Sequence, residues 1–67
     1  MEVSHVRQRV QGIAEAAPDY EVQHMQEDDL FADVLACIAL TSTDDHAKAL
    51  AGAALESKEI HFERPCA

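Results

Sequence analysis

The small supply of large apolar side chains limits what this chain can fold into. Twelve of its 67 residues are alanine, and seventeen residues other than Met1 have a larger apolar side chain. A core of this size rarely gives more than about 3–5 kcal/mol of stability, and proteins this small usually add a disulfide, a metal ion or a partner subunit. We therefore expect one small domain, residues 1–67, that is stabilised by forming a two-fold homodimer.

Apolar residues at spacings of three and four predict a first helix that ends before Pro18. This spacing places them on one side of a helix, and the residue before a proline is disfavoured in the α conformation. The same stripe has the 3-4-3-4 period of a short coiled-coil seam. We expect it to be the homodimer interface, which consists of Val3, Val6, Val10 and Ile13.

A second helix is predicted from Asp28 or Asp29 to about Thr41. It has a broad apolar face, and its acids lie at the N-terminal end, where the helix dipole favours negative charge. Together with a third helix, it predicts an all-α fold, a small bundle of three to four short helices. The expected core consists of Val6, Val10, Ile13, Leu30, Phe31, Val34, Leu35, Ile38, Leu50, Ala54 and Leu55.

The third helix is predicted over about residues 43–57. Ser42 or Thr43 is the expected N-cap, and Asp45 is placed to complete a capping box from Ser42. Small side chains dominate the inner face of this helix, so its backbone can approach a neighbour closely.

Two segments are ambiguous, because polar and apolar residues alternate in them as in a strand. Residues 19–26 also begin with acids after Pro18, as the first turn of a helix often does, and we favour a short helix there. The tail at residues 59–63 alternates in the same way. The alternative to the all-helical bundle is therefore an α+β fold with two short strands at about 20–25 and 59–63.

The cysteines and the hydropathy pattern indicate the compartment. Cys37 falls in a helical apolar pattern and Cys66 is next to the last residue, so we expect both to be reduced thiols. No apolar run approaches the roughly 18–20 residues that cross a bilayer, and the N-terminus lacks the features of a signal peptide. The sequence therefore predicts a soluble, cytoplasmic protein.

Negative charge is concentrated in the middle of the chain. The formal net charge is −8, and residues 10–47 contain nine acids and no Lys or Arg. This charge disfavours direct contact with a nucleic acid or an anionic membrane. Because ordinary protein surfaces intersperse both signs, we predict a non-enzymatic interaction module, such as an inhibitor, a nucleic-acid mimic or a regulatory subunit, for a basic protein partner. The predicted partner-binding residues are Glu27, Asp28, Asp29, Asp33, Asp44 and Asp45.

The same acids allow two other interpretations. They could form a solvated face only, since several lie where a helix dipole favours anions. Alternatively, Glu27, Asp29 and Asp33 could serve a metal-dependent enzyme or a metal-binding protein. However, the His and Cys residues lack the spacing of zinc sites, and no Gly-rich elbow or oxyanion loop accompanies a nucleophile. We therefore predict no catalytic residue, no metal ligand and no cofactor.

Overall fold

Three α-helices form most of the chain in a computed structural model, which describes residues 1–60. They are α1 (Val3–Glu15), α2 (Tyr20–Thr41) and α3 (Asp45–Leu55), and a short 3₁₀ helix, Glu56–Glu59, follows α3. No strand occurs among residues 1–60. The predicted all-helical fold class is therefore confirmed for this part of the chain.

The described residues divide into two compact units. The first is Met1–Phe31 and the second consists of residues 32–60. Helix α2 supplies residues to both units. The first unit pairs α1 with the beginning of α2, and the second pairs the end of α2 with α3.

The turn between α1 and α2 satisfies polar groups at both helix ends. Helix α1 ends at Glu15, ahead of Pro18 as predicted. The Asp19 carboxylate accepts a hydrogen bond from the Val22 N–H at 3.1 Å, which caps the start of α2. The Gln23 side-chain amide donates to the Ile13 carbonyl at 2.8 Å. The first bond satisfies an N–H group that a helix start leaves without an intrahelical partner, and the second adds a second donor to a carbonyl that also accepts from the Ala16 N–H.

The strand predicted as an alternative at residues 20–25 is wrong, because this segment is helical. Helix α2 begins at Tyr20, not at Asp28 or Asp29, so the ambiguous segment and the predicted core helix are one element. The Asp19 cap gives this start a local cause, and the capping contact outweighs the alternating pattern. Of the second predicted strand, Glu59 ends the 3₁₀ helix, and positions 61–63 lie outside the described residues.

Asp44 is the N-cap of α3, so the predicted Ser42 or Thr43 cap is wrong. One oxygen of the Asp44 carboxylate accepts from the N–H groups of His46 at 3.0 Å and Ala47 at 3.1 Å. Ser42 has a different role, since its hydroxyl accepts from the Asp44 N–H at 3.1 Å. A charged carboxylate is the stronger acceptor for these N–H groups.

The buried core is much smaller than the expected one. Leu30 and Ala51 are the buried apolar residues, at 3% and 4% exposure. Five of the expected core residues are partly buried, namely Val6, Ile13, Val34, Leu35 and Leu55. Five others are exposed, namely Val10, Phe31, Ile38, Leu50 and Ala54. Periodicity within one helix does not determine how far a neighbouring helix covers its apolar side, so these five expected core residues remain exposed.

The Asp44 cap generates a first prediction. Asp44→Ala should lower the free energy of unfolding by about 0.5–2 kcal/mol, because two N–H groups lose their acceptor. Urea unfolding measures this change. Asp44→Asn keeps an acceptor oxygen, so its free energy of unfolding should fall much less than that of Asp44→Ala. If Ser42→Ala lowers the free energy of unfolding more than Asp44→Ala does, Ser42 is the more important cap and the assignment of Asp44 as the N-cap is wrong.

The two glycines generate a second prediction. Gly12 in α1 and Gly52 in α3 lack positive φ angles, and a Cβ added to either one would meet no atom within 4 Å. Gly12→Ala and Gly52→Ala should each raise the free energy of unfolding by about 0.4–1 kcal/mol, because alanine loses less backbone entropy on folding. Thermal unfolding of each variant measures the effect, and a lower melting temperature in either variant would contradict it.

Candidate functional site

Three of the predicted partner-binding acids lie in the first unit, next to one another on α2. Glu27, Asp28 and Asp29 are all exposed. Successive residues of an α-helix are about 100° apart, so these three carboxylates spread over about 200° of the helix circumference. They form a broad acidic sector and do not converge on one point.

The other three predicted acids lie in the second unit, and all of them are exposed. Asp33 lies on α2, and Asp45 is the first residue of α3. Asp44 differs from them because its carboxylate already accepts two backbone hydrogen bonds as the N-cap of α3. Asp44 therefore has a structural role that the sequence analysis did not give it.

The structure adds a basic residue that the sequence analysis missed. Arg9 is partly buried and lines a cleft of about 240 Å³ in the first unit, together with Gly12, Ile13, Gln26 and Asp29. Arg9 lies one residue before residues 10–47, the segment that contains no Lys or Arg. The distribution of charge along the sequence therefore did not connect Arg9 with Asp29. No sequence signal within α1 could have revealed it, because the cleft also includes Gln26 and Asp29 of α2. Asp29 therefore shares this cleft with a basic residue.

The metal cluster of the alternative interpretation is not assembled in the described residues. In this part of the chain, no three His, Cys, Asp or Glu side chains come together in a way that could hold a metal ion. Glu27, Asp29 and Asp33 belong to one helix, and a straight helix directs Glu27 about 160° away from Asp29. The metal-dependent alternative therefore lacks a supporting geometry.

The thiol of Cys37 is partly buried. The Thr41 hydroxyl donates to the Cys37 carbonyl at 2.6 Å, and its oxygen lies 3.6 Å from the Cys37 sulfur. The hydrogen bond with Thr41 lowers the pKa of the Cys37 thiol. Cys66, the other predicted reduced thiol, lies outside the described residues.

The apolar stripe of α1, predicted as a dimer interface, is unevenly exposed. Val3 and Val10 are 66% and 52% exposed. Val6 and Ile13 are partly buried. The stripe is therefore not a continuous exposed seam, and its role in self-association stays a prediction.

Comparisons with known proteins give this chain no relative. No family model matches it, and neither a curated protein nor a solved structure is significantly similar to it. Separately, none of the helices in residues 1–60 combines the length and the apolar character needed to cross a membrane.

The dispersed acids generate a third prediction. Near-stoichiometric Mg²⁺ or Mn²⁺ should leave the melting temperature unchanged, because a ligand stabilises a protein only when it binds the folded state specifically. Differential scanning calorimetry in chelator-treated buffer measures this. A rise in melting temperature that Asp29→Asn and Asp33→Asn abolish would establish a metal site and revive the metal-dependent alternative.

Proposed function

We propose that the protein is a non-enzymatic interaction module that presents the acids of its middle segment to a basic protein surface. The observation that carries this proposal is that all six predicted partner-binding acids are exposed. They belong to a stretch, residues 10–47, that contains no Lys or Arg. A surface with one sign of charge attracts a partner of the opposite sign and raises the rate of productive encounters.

One of the six acids already has a role in the fold, because the Asp44 carboxylate caps α3. The other five exposed acids are the proposed recognition residues. They are Glu27, Asp28, Asp29, Asp33 and Asp45.

The proposed mechanism is electrostatic attraction followed by charge pairing. Exposed carboxylates contribute only about 0–1 kcal/mol each to folding, so a protein can vary them for recognition at little cost in stability. They nevertheless create a negative potential that guides a basic partner from a distance of about one Debye length, roughly 8 Å at physiological salt. Such a module would act as an inhibitor, a nucleic-acid mimic or a regulatory subunit, according to the basic surface it covers.

Charge reversal generates a fourth prediction. Replacing Glu27, Asp28 and Asp33 by Lys changes the formal net charge from −8 by three increments of +2, to −2. The immobilised wild-type protein should retain basic proteins from a cell lysate at low salt and release them near 1 M salt, where the Debye length falls to about 3 Å. The reversed variant should retain them at least about tenfold less at low salt.

A matched control separates local charge from net charge. Reversing Glu2, Glu56 and Glu59, three exposed acids outside the middle segment, gives the same net charge. The control variant should retain the same basic proteins as the wild type. Circular dichroism should show that both variants stay folded. Equal loss in both variants would mean that net charge alone governs binding. If retention changes neither with the salt concentration nor with the charge reversals, the acids are only a solvated face.

A further inference from the structure

An apolar groove runs along the second unit. It has a volume of about 400 Å³ and is lined by Leu35, Ile38, Ala47, Leu50, Ala51 and Ala54. Leu50 is 59% exposed and Ile38 is 36% exposed, although both are large apolar residues. Burial of apolar surface stabilises a protein by about 25 cal/mol per Å², and the exposed part of the groove lacks this stabilisation. A covering element would therefore stabilise this unit.

The acids of the two groove-forming helices point away from the groove. With about 100° per residue, Asp33 lies about 170° from the side of α2 that carries Leu35 and Ile38. Asp45 lies about 170° from the side of α3 that lines the groove, by the same geometry. The Asp44 carboxylate is held at the start of α3 by its two capping hydrogen bonds. The groove thus contains only apolar side chains on a strongly acidic molecule.

This charge distribution distinguishes between two kinds of occupant. A basic helix would leave its Lys and Arg side chains without carboxylates along the groove, so the groove does not match the partner proposed for the acidic surface. A second copy of this chain is acidic overall, but its own groove is uncharged. Two grooves can therefore face each other without bringing carboxylates together at the contact.

The shape of the groove agrees with a second copy. Three of its residues are alanines, which leave room beside α3, and Leu50 projects from the same side of that helix. Two such surfaces related by a two-fold axis can each insert Leu50 beside the alanines of the other, since a two-fold contact uses the same patch on both chains.

We propose that a second copy of this chain covers the groove, so that the homodimer forms through the second unit. Residues 42–44 are a short connection between α2 and α3, and such connections join antiparallel neighbours. Two of these helical hairpins, packed groove to groove, give four helices around one shared apolar core. This places the dimer contact at Leu35, Ile38 and Leu50 and not at the α1 stripe, where Val6 and Ile13 are already partly buried.

Paired leucine variants test the location of the contact. Leu50→Glu places a carboxylate in the proposed interface of each copy and should raise the dimer dissociation constant at least about 100-fold. Leu40→Glu makes the same chemical change at a residue that is 79% exposed. Since Leu40 lies about 170° from the groove side of α2, this control should change the constant by about threefold at most. Sedimentation equilibrium measures both.

Three results would overturn the proposal. One is a wild-type chain that stays monomeric at concentrations up to about 100 μM. Another is a Leu50→Glu variant that dimerises as well as Leu40→Glu. The third is loss of the dimer in Val10→Glu together with its retention in Leu50→Glu, which would place the contact on the α1 stripe.

A measurement on the wild-type chain covers the case in which Leu50→Glu fails to fold. A mixture of isotope-labelled and unlabelled chains should give intermolecular nuclear Overhauser effects between methyl groups of Leu50 and those of Leu35 or Ile38. Effects confined to Val3 and Val10, or no intermolecular effects, would contradict the proposal.

Salt dependence separates this inference from the proposed function. The dimer joins two chains of formal charge −8, so added salt should screen their repulsion and tighten the dimer. Binding of a basic partner to the acidic surface should weaken over the same salt range. If added salt dissociates the dimer instead, charge pairing holds the two chains together and the apolar groove is not the contact. The experiments can therefore contradict the proposed dimer without contradicting the proposed binding of a basic partner, and the reverse.

Discussion

The scarcity of buried side chains is the constraint on which the rest of this structure depends. Leu30 and Ala51 are the buried apolar residues of the described chain, and two such residues cannot offset the conformational entropy lost by three helices. Interactions at the helix ends therefore matter more than they would in a larger domain. The Asp19 and Asp44 caps satisfy N–H groups at the starts of α2 and α3, and the bond from the Gln23 side chain to the Ile13 carbonyl joins α2 to the end of α1.

The acids illustrate how one residue type divides between folding and recognition. A count along the sequence treats every carboxylate in residues 10–47 as part of one charged surface. In the structure, Asp19 and Asp44 accept backbone hydrogen bonds at helix starts, and Asp29 lines a cleft with Arg9. The proposed recognition acids lie on exposed helix positions, where a carboxylate contributes little to folding.

Much of the fold could be predicted from the sequence, because helix periodicity and helix stops are local properties. The end of α1 before Pro18 and the end of α2 at Thr41 followed from such signals. The start of α3 did not, because four consecutive residues at 42–45 can all act as caps and only the backbone geometry selects Asp44. The cleft around Arg9 and the exposure of Leu50 depend on how helices pair, and periodicity within one helix contains no information about that pairing.

The bonds at the helix ends also shape the electric field around the molecule. A helix carries about half a positive charge at its N-terminus and half a negative charge at its C-terminus. The positive ends of α2 and α3 meet the carboxylates of Asp19 and Asp44. The negative ends of α1 and α2 have no basic residue in their last turns, and the carbonyls of Ile13 and Cys37 accept from the neutral side chains of Gln23 and Thr41. These helix ends thus add the partial negative charge of the backbone to the field of the carboxylates, and an approaching cation is attracted to peptide carbonyls as well as to side-chain carboxylates.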